Sequence, residues 1–194
     1  MWNCVLFNNI YRKDRDIDTS QKMSGGGALI AVNIKLSSSL LSCHYSNVEQ
    51  VFVSIQRRDV RLLVGAVYLP SKRDHDLFES HSSATESLLT NSRFSDILIA
   101  GDFNIRGIKW DFSQPSADGI NSPNGSLLID TYASLGLFQR NYVQNDNGNY
   151  LDLVLSSSDK LMSLKLRIDR YLKNLVGIIQ LSYFQLNCSV ILVL

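Results

Sequence analysis

Cysteine is scarce and scattered in this chain. Cys4, Cys43 and Cys188 are the only three, and none belongs to a CxxC pair. That spacing argues against a zinc knuckle and a disulfide framework, and it fits a reducing intracellular compartment. Charge of one sign is missing as well. Nineteen Lys and Arg face eighteen Asp and Glu, for a formal net charge of +1. No global basic field of the kind that marks a strong nonspecific nucleic-acid binder exists, although a local basic groove is still allowed. Long hydrophobic runs are also absent. Met1-Trp2-Asn3-Cys4 lacks the basic-then-apolar order of a signal peptide. The apolar stretch from Leu175 to Leu194 is interrupted by Gln180, Ser182, Gln185 and Asn187. Its unbroken end, Val190 to Leu194, is too short to span a bilayer, so the stretch reads as core strand or tail, with no membrane partner. No internal repeat or low-complexity linker divides the 194 residues, a length that suits one domain with a substantial core.

The most informative stretch runs from Ile97 to Trp110. Its apolar start ends abruptly in Gly101-Asp102-Phe103-Asn104. Period-2 strand geometry points Asp102 and Asn104 to one side, where a strand end opening on a cleft would present both to a single ligand. An aspartate takes a proton from water or binds a hard cation. An asparagine donates to a phosphate oxygen without adding negative charge. The plainer alternative is a strand followed by an Asx-type turn.

The rest of the chain supplies the frame. Val5 to Tyr11 reads as a strand, followed by the mixed-sign patch Arg12 to Asp16, which reads as a solvated loop. Gly25-Gly26-Gly27 leads into the apolar run Ala28 to Val32. It lacks the lysine of a phosphate-binding loop, so it marks a tight turn into a buried strand. Glu49 to Gln56 and Arg61 to Leu69 form a predicted antiparallel hairpin across Arg57-Arg58-Asp59, closed by Pro70. Helical spacing runs from Asp74 to Asn91 through Leu77, Phe78, Ser82, Thr85, Leu88 and Leu89. Ser113 to Asn124 reads as a long loop, with Asn124 capping a helix through Leu127, Leu128, Tyr132 and Leu135 that Gly136 stops. Asn145 to Asn149 is a turn, and Leu151 to Ser156 a strand. Hairpins combined with helices predict an α/β fold of two layered sheets flanked by helices, not a pure βαβ alternation.

Several of these strings resemble, in order, the endonuclease domains of non-LTR (LINE-type, jockey-like) retrotransposons. They are Gly25 to Val32, Glu49 to Val53 with Gly65 to Pro70, Leu135 to Gln139, and Leu151 to Ser156. Gly101-Asp102-Phe103-Asn104 is similar to the signature of the wider endonuclease/exonuclease/phosphatase superfamily. The resemblance covers roughly Tyr11 to Leu161. It implies a DNase I-like four-layer sandwich of two mixed β-sheets flanked by helices, lacking the first strands. Residues 1–161 would form the domain and 162–194 a divergent segment.

The resemblance also implies metal-dependent phosphodiester hydrolysis on DNA, with Mg²⁺ or Mn²⁺ as cofactor. The parent polyprotein would carry a reverse transcriptase, and the site of action would be intracellular and nuclear. It casts Asp102 as the residue that orients or deprotonates water, Asn104 as a phosphate-contacting amide, Tyr68 as a hydroxyl near the scissile phosphate, and Asp152 as the partner of a catalytic histidine. Asp102, Asn104 and Asp169 are the candidate metal ligands.

The chain departs from the family pattern at both ends. The family's early asparagine and its glutamate in a Glu-Thr-Trp context have no counterpart here, because Asn3 lies too near the terminus and no glutamate precedes Glu49. Where the family ends in Ser-Asp-His or Asp-Xaa-Tyr-His-Pro, this chain has Ile168-Asp169-Arg170-Tyr171-Leu172. His44, His75 and His81, the only histidines, read as surface or loop residues. The expected outcome is an impaired endonuclease. The alternatives are an inactive retroelement fragment or binding module, and a phosphoesterase of the same superfamily acting on a lipid or nucleotide. Missing first strands would leave a sheet edge exposed.

Overall fold

The computed structural model describes residues 7–15, 27–43, 47–70, 75–119, 122–158, 178–183 and 188–193. In chain order the strands are β1 (Phe7–Asp14), β2 (Gly27–Asn33), β3 (Ser37–Leu41), β4 (Glu49–Arg57) and β5 (Val60–Tyr68). Helix α1 (His75–Asn91) leads to β6 (Asp96–Asp102), β7 (Lys109–Asp111) and β8 (Ser116–Asp118). Helix α2 (Pro123–Ser134) precedes β9 (Phe138–Gln139), β10 (Asp152–Ser156), β11 (Ile178–Tyr183) and β12 (Cys188–Val193).

Two sheets carry the fold. One has six strands in the order β3-β4-β5-β6-β10-β9, and the other four in the order β1-β2-β12-β11. The six-stranded sheet is mixed, because α1 carries the chain from β5 to a parallel β6 while its other pairings are antiparallel. The four-stranded sheet is antiparallel throughout, where a mixed sheet was expected. Between the sheets lies a core of Ile30 and Val32 from β2, Val51, Val53 and Ile55 from β4, Val64 and Ala66 from β5, Leu98 and Ala100 from β6, and Val154 from β10. On its other face the six-stranded sheet packs Phe52, Leu63, Val67, Ile99 and Leu155 against Phe78 of α1 and Leu128 and Tyr132 of α2. Both faces of β4 and β5 are therefore covered, which is why their sequences read as near-continuous apolar runs. Each such side chain contributes about 1.5–3 kcal/mol by leaving water. Among the described residues both helices lie on this one side, giving helix, sheet and sheet as stacked layers.

Local chemistry sets the element ends. Ser122 caps α2, its hydroxyl accepting from the Gly125 amide at 3.1 Å, and Pro123 takes the first helical position. Asn124, expected as the cap, is instead the second residue of the helix and is buried, where its amide oxygen meets His75 Nδ1 at 2.6 Å. Gly136, at φ +64°, ends the helix with the Leu137 amide bonded back to the Tyr132 carbonyl.

Three further differences from the sequence reading stand out. The patch read as a solvated loop is strand as far as Asp14, and Arg15 beyond it is largely buried. The loop from Ser113 contains β8, which pairs with β7, and the serine-rich β3 completes the β4 edge. Finally, β12 pairs with β2, so the C-terminal hairpin lies along that strand and the outer strands of this sheet are β1 and β11.

Candidate active site at one end of the sandwich

Strand register builds the site. Glu49 of β4 is the cross-strand partner of Tyr68 of β5, Tyr68 partners Asp102 of β6, and Asp102 partners Asp152 of β10. Four chemically capable residues thus share a single rung. Partners on one rung project to the same face, with Cβ atoms about 4.5–5.5 Å apart. That face is the inter-sheet one, since Val51, Ala66, Ala100 and Val154, each two residues along its strand, lie in the core between the sheets. The apolar interior ends and polar tips begin at this rung, at one end of the sandwich.

The Gly101–Asn104 segment is clamped from both sides. The Asp102 carbonyl accepts from Leu69 N at 2.8 Å, and Phe103 N donates to the Leu151 carbonyl at 2.9 Å. Gly101 is required by close approach, because a Cβ there would stand 1.9 Å from the Val67 carbonyl oxygen. Period 2 does not continue past Asp102. The Asp102 carboxylate accepts from the Asn104 amide at 3.0 Å, an Asx turn, and Asn104 sits at φ +51°. Asn104 Nδ2 donates to the Leu69 carbonyl at 2.9 Å, tying the turn to the end of β5. Phe103 between them is fully buried and anchors the turn from below.

Electrostatics follow from this placement. Burial pushes the Asp102 carboxyl up to about 6, with the facing Asp152 charge as second cause; the bonds from Asn104 pull the other way. Asp152 is also pushed up, by desolvation among neighbouring atoms, although part of its side chain reaches solvent. Its backbone carbonyl accepts from Asn141 Nδ2 at 2.6 Å.

Two residues unassigned by the sequence reading complete the end. Arg15 grips Glu49 with both arms, Nε to Oε1 at 2.6 Å and Nη2 to Oε2 at 3.2 Å, at side-chain exposures of 14% and 4%. Its guanidinium also lies 5.1 Å from the centre of the Tyr68 ring. The signal for Glu49 was available in the sequence. It stands two residues before Val51 and four before Val53 on an alternating strand, hence on the same face.

The histidines fall elsewhere. His81, expected at the surface, is fully buried on α1 behind the Gly101–Asn104 turn, beside the rings of Phe52, Phe103 and Tyr132. Its Nδ1 lies 2.7 Å from the Gln50 amide oxygen, which can only accept, so Nε2 is the acceptor for the Tyr132 hydroxyl at 2.5 Å. Burial lowers its pKa to about 3 and keeps it neutral. His75 is partly exposed beside Asn124 and Glu79. Neither faces Asp152. His44 and Asp169 lie outside the described residues.

Among the described residues no group of three or more His, Cys, Asp or Glu converges to hold a metal ion. What the rung offers a hard cation is the facing carboxylate pair of Asp102 and Asp152. That is within what Mg²⁺ uses, since it commonly takes one or two carboxylates and keeps its waters. The mutual repulsion that raises Asp102 is the same charge a divalent ion would neutralise.

The endonuclease domain of TRAS1, a telomere-specific non-LTR retrotransposon, shares this architecture with a TM-score of 0.53. The match covers 95% of this chain and 78% of that one at 14% identity. Two others are more remote. The human Nocturnin catalytic domain with bound sulfate anion gives a TM-score of 0.38 at 10% identity over 83% and 59% of the two chains. An endonuclease/exonuclease/phosphatase family protein from Leptotrichia buccalis gives 0.35 at 13% identity over 81% and 60%. No curated protein matches significantly. The fold is the DNase I-like α/β sandwich of the endonuclease/exonuclease/phosphatase class. Residues 62–173, more than half the chain, match the endonuclease-reverse transcriptase family, and the chain belongs to it. Among the described residues no helix is long and apolar enough to cross a membrane.

Proposed function

We propose that this chain is a divalent-metal-dependent DNA endonuclease domain of the non-LTR retrotransposon type, working at reduced turnover. The observation that carries this reading is the single rung holding Tyr68, Asp102 and Asp152 at the open end of the inter-sheet core. A phosphodiester lying across that end meets a phenol, a carboxyl near its ionisation point and a second carboxylate. With a pKa near 6, Asp102 is largely ionised at neutral pH yet basic enough to accept a proton from an attacking water. Tyr68 donates its hydroxyl to a phosphoryl oxygen as negative charge grows there. Asn104 keeps Asp102 in place through its backbone amide, while its carboxamide fixes the turn to β5. Asp102 and Asp152 would hold the divalent ion, which would offset the charge of the phosphoryl group when bound.

Reduced turnover follows from what the rung lacks. Among the described residues Asp152 faces no histidine, and the carboxylate of Glu49 is spent on Arg15. The reading places the chain's partners as target DNA and a reverse transcriptase in the same polyprotein, acting in the nucleus. Plasmid nicking in Mg²⁺ or Mn²⁺ tests it. Asp102→Ala is expected to lower the rate by about a hundred- to ten-thousand-fold. Equal nicking by that variant would overturn the reading.

One observation favours a second reading, a binding module without turnover: no three-ligand group exists among the described residues. Retention of a labelled duplex by the wild-type chain, with no nicking in either metal, would decide for it.

A further inference from the structure

The charged segment after β1 has an assignment that its composition hides. We propose that Arg15, gripped by Glu49, is a positioning residue for Tyr68, fixing the attitude from which the phenol meets the phosphodiester. The inference rests on the phosphodiester reading of this end of the sandwich.

The chain path explains why Arg15 arrives there. Asp14, the last residue of β1, is registered with Gly27, so Arg15 leaves the four-stranded sheet at its end. There it meets the first residue of β4, Glu49, across the gap between the sheets. The fork of the guanidinium fits both carboxylate oxygens, and its central carbon lies over the Tyr68 ring. Glu49 and Tyr68 are themselves cross-strand partners, so the three groups form one closed unit. The bonds to Glu49 hold the Arg15 pKa above its ordinary value, against the opposing pull of burial and with a lesser contribution from Tyr68.

A purely stabilising role accounts poorly for this unit. An ion pair desolvated this far gains little over apolar side chains of the same volume, because the cost of removing two charges from water offsets most of their attraction. An arginine held beside the phenol by Glu49, the cross-strand partner of Tyr68, is instead suited to orient Tyr68.

A double-mutant cycle on the full chain tests the assignment, using Mg²⁺-dependent plasmid nicking and thermal unfolding side by side. Arg15→Ala is expected to lower kcat by about ten- to a hundredfold, as misplacement of a reacting group does, with KM nearly unchanged. Tyr68→Phe should fall in the same range, and the double variant should be no slower than the slower single one. Arg15→Lys, which keeps charge but loses the fork and the flat face, should not restore the rate. If Arg15→Ala fails to fold, Arg15→Lys and Glu49→Gln carry the same cycle against Tyr68→Phe. Losses that multiply, or wild-type nicking by Arg15→Ala, would overturn the inference and leave the phosphodiester reading intact. A folded wild-type chain that nicks in neither metal would remove both.

Discussion

Asp102 retains its proton to about pH 6, first because it is desolvated and second because Asp152 faces it. In the metal-free chain a ¹³C NMR titration is therefore expected to place the Asp102 midpoint near 6, and a bound divalent ion should draw it down. Asp152→Asn removes the second cause and leaves the first, so the same metal-free midpoint should move down while staying above the ordinary carboxylate value. His81 titrates with the opposite consequence for folding. The folded chain keeps it neutral down to about pH 3, whereas the unfolded chain protonates it near 6.5. Its contribution is intact above the unfolded value and is lost as pH falls through that window, by up to about 1.4 kcal/mol per pH unit. Asp102 opposes it, since a raised carboxyl pKa makes the folded state the better proton binder between its ordinary value and 6. Urea midpoints at pH 7 and pH 4.5 should thus fall more steeply with acid for wild type than for His81→Gln. A histidine counts as polar in a sequence pattern, so its burial was invisible there. The wall of Phe52, Phe103 and Tyr132 that encloses it comes from three distant segments.

Long elements with a clear period were legible, and short polar ones were not. The β4–β5 hairpin, α1 and β6 follow from apolar alternation and helical spacing in the sequence itself. β3, with three serines in five residues, and β8, Ser-Ala-Asp, carry no such signal and are strands only because a neighbouring edge binds their backbones. Helix α2 shows the same limit at finer grain. Ser122 and Asn124 are both acceptable caps by type, and in the fold Ser122 caps while Asn124 turns to a part-buried contact with His75. Gly101 tests how tightly β5 and β6 approach. In Gly101→Ala the new methyl meets the Val67 carbonyl at 1.9 Å, and the strands must separate. A loss of about 3–5 kcal/mol by chemical denaturation is expected. Near-wild-type stability would mean that the two backbones yield easily there.

For the whole molecule, the decisive event is the return of the chain end to its beginning, with β12 laid along β2. A chain cut after residue 177 would leave β2 with an open edge. Light scattering during refolding should then show association that the full chain does not, since an unpaired strand edge is a template for another chain. Equal scattering from both would mean that β1 alone protects this sheet. The sequence by itself determined the α/β class, the order of the major elements and the candidacy of Asp102 and Asn104, because periodicity and turn chemistry act over a few residues. Tyr68 and Asp152, by contrast, became candidates through the family resemblance alone. Only the tertiary structure decided that Glu49, Tyr68, Asp102 and Asp152 share one rung, that Asn104 turns back to β5, and that Arg15 closes over Tyr68. Register and sheet stacking depend on contacts between segments tens of residues apart, and no local pattern encodes which strands will meet.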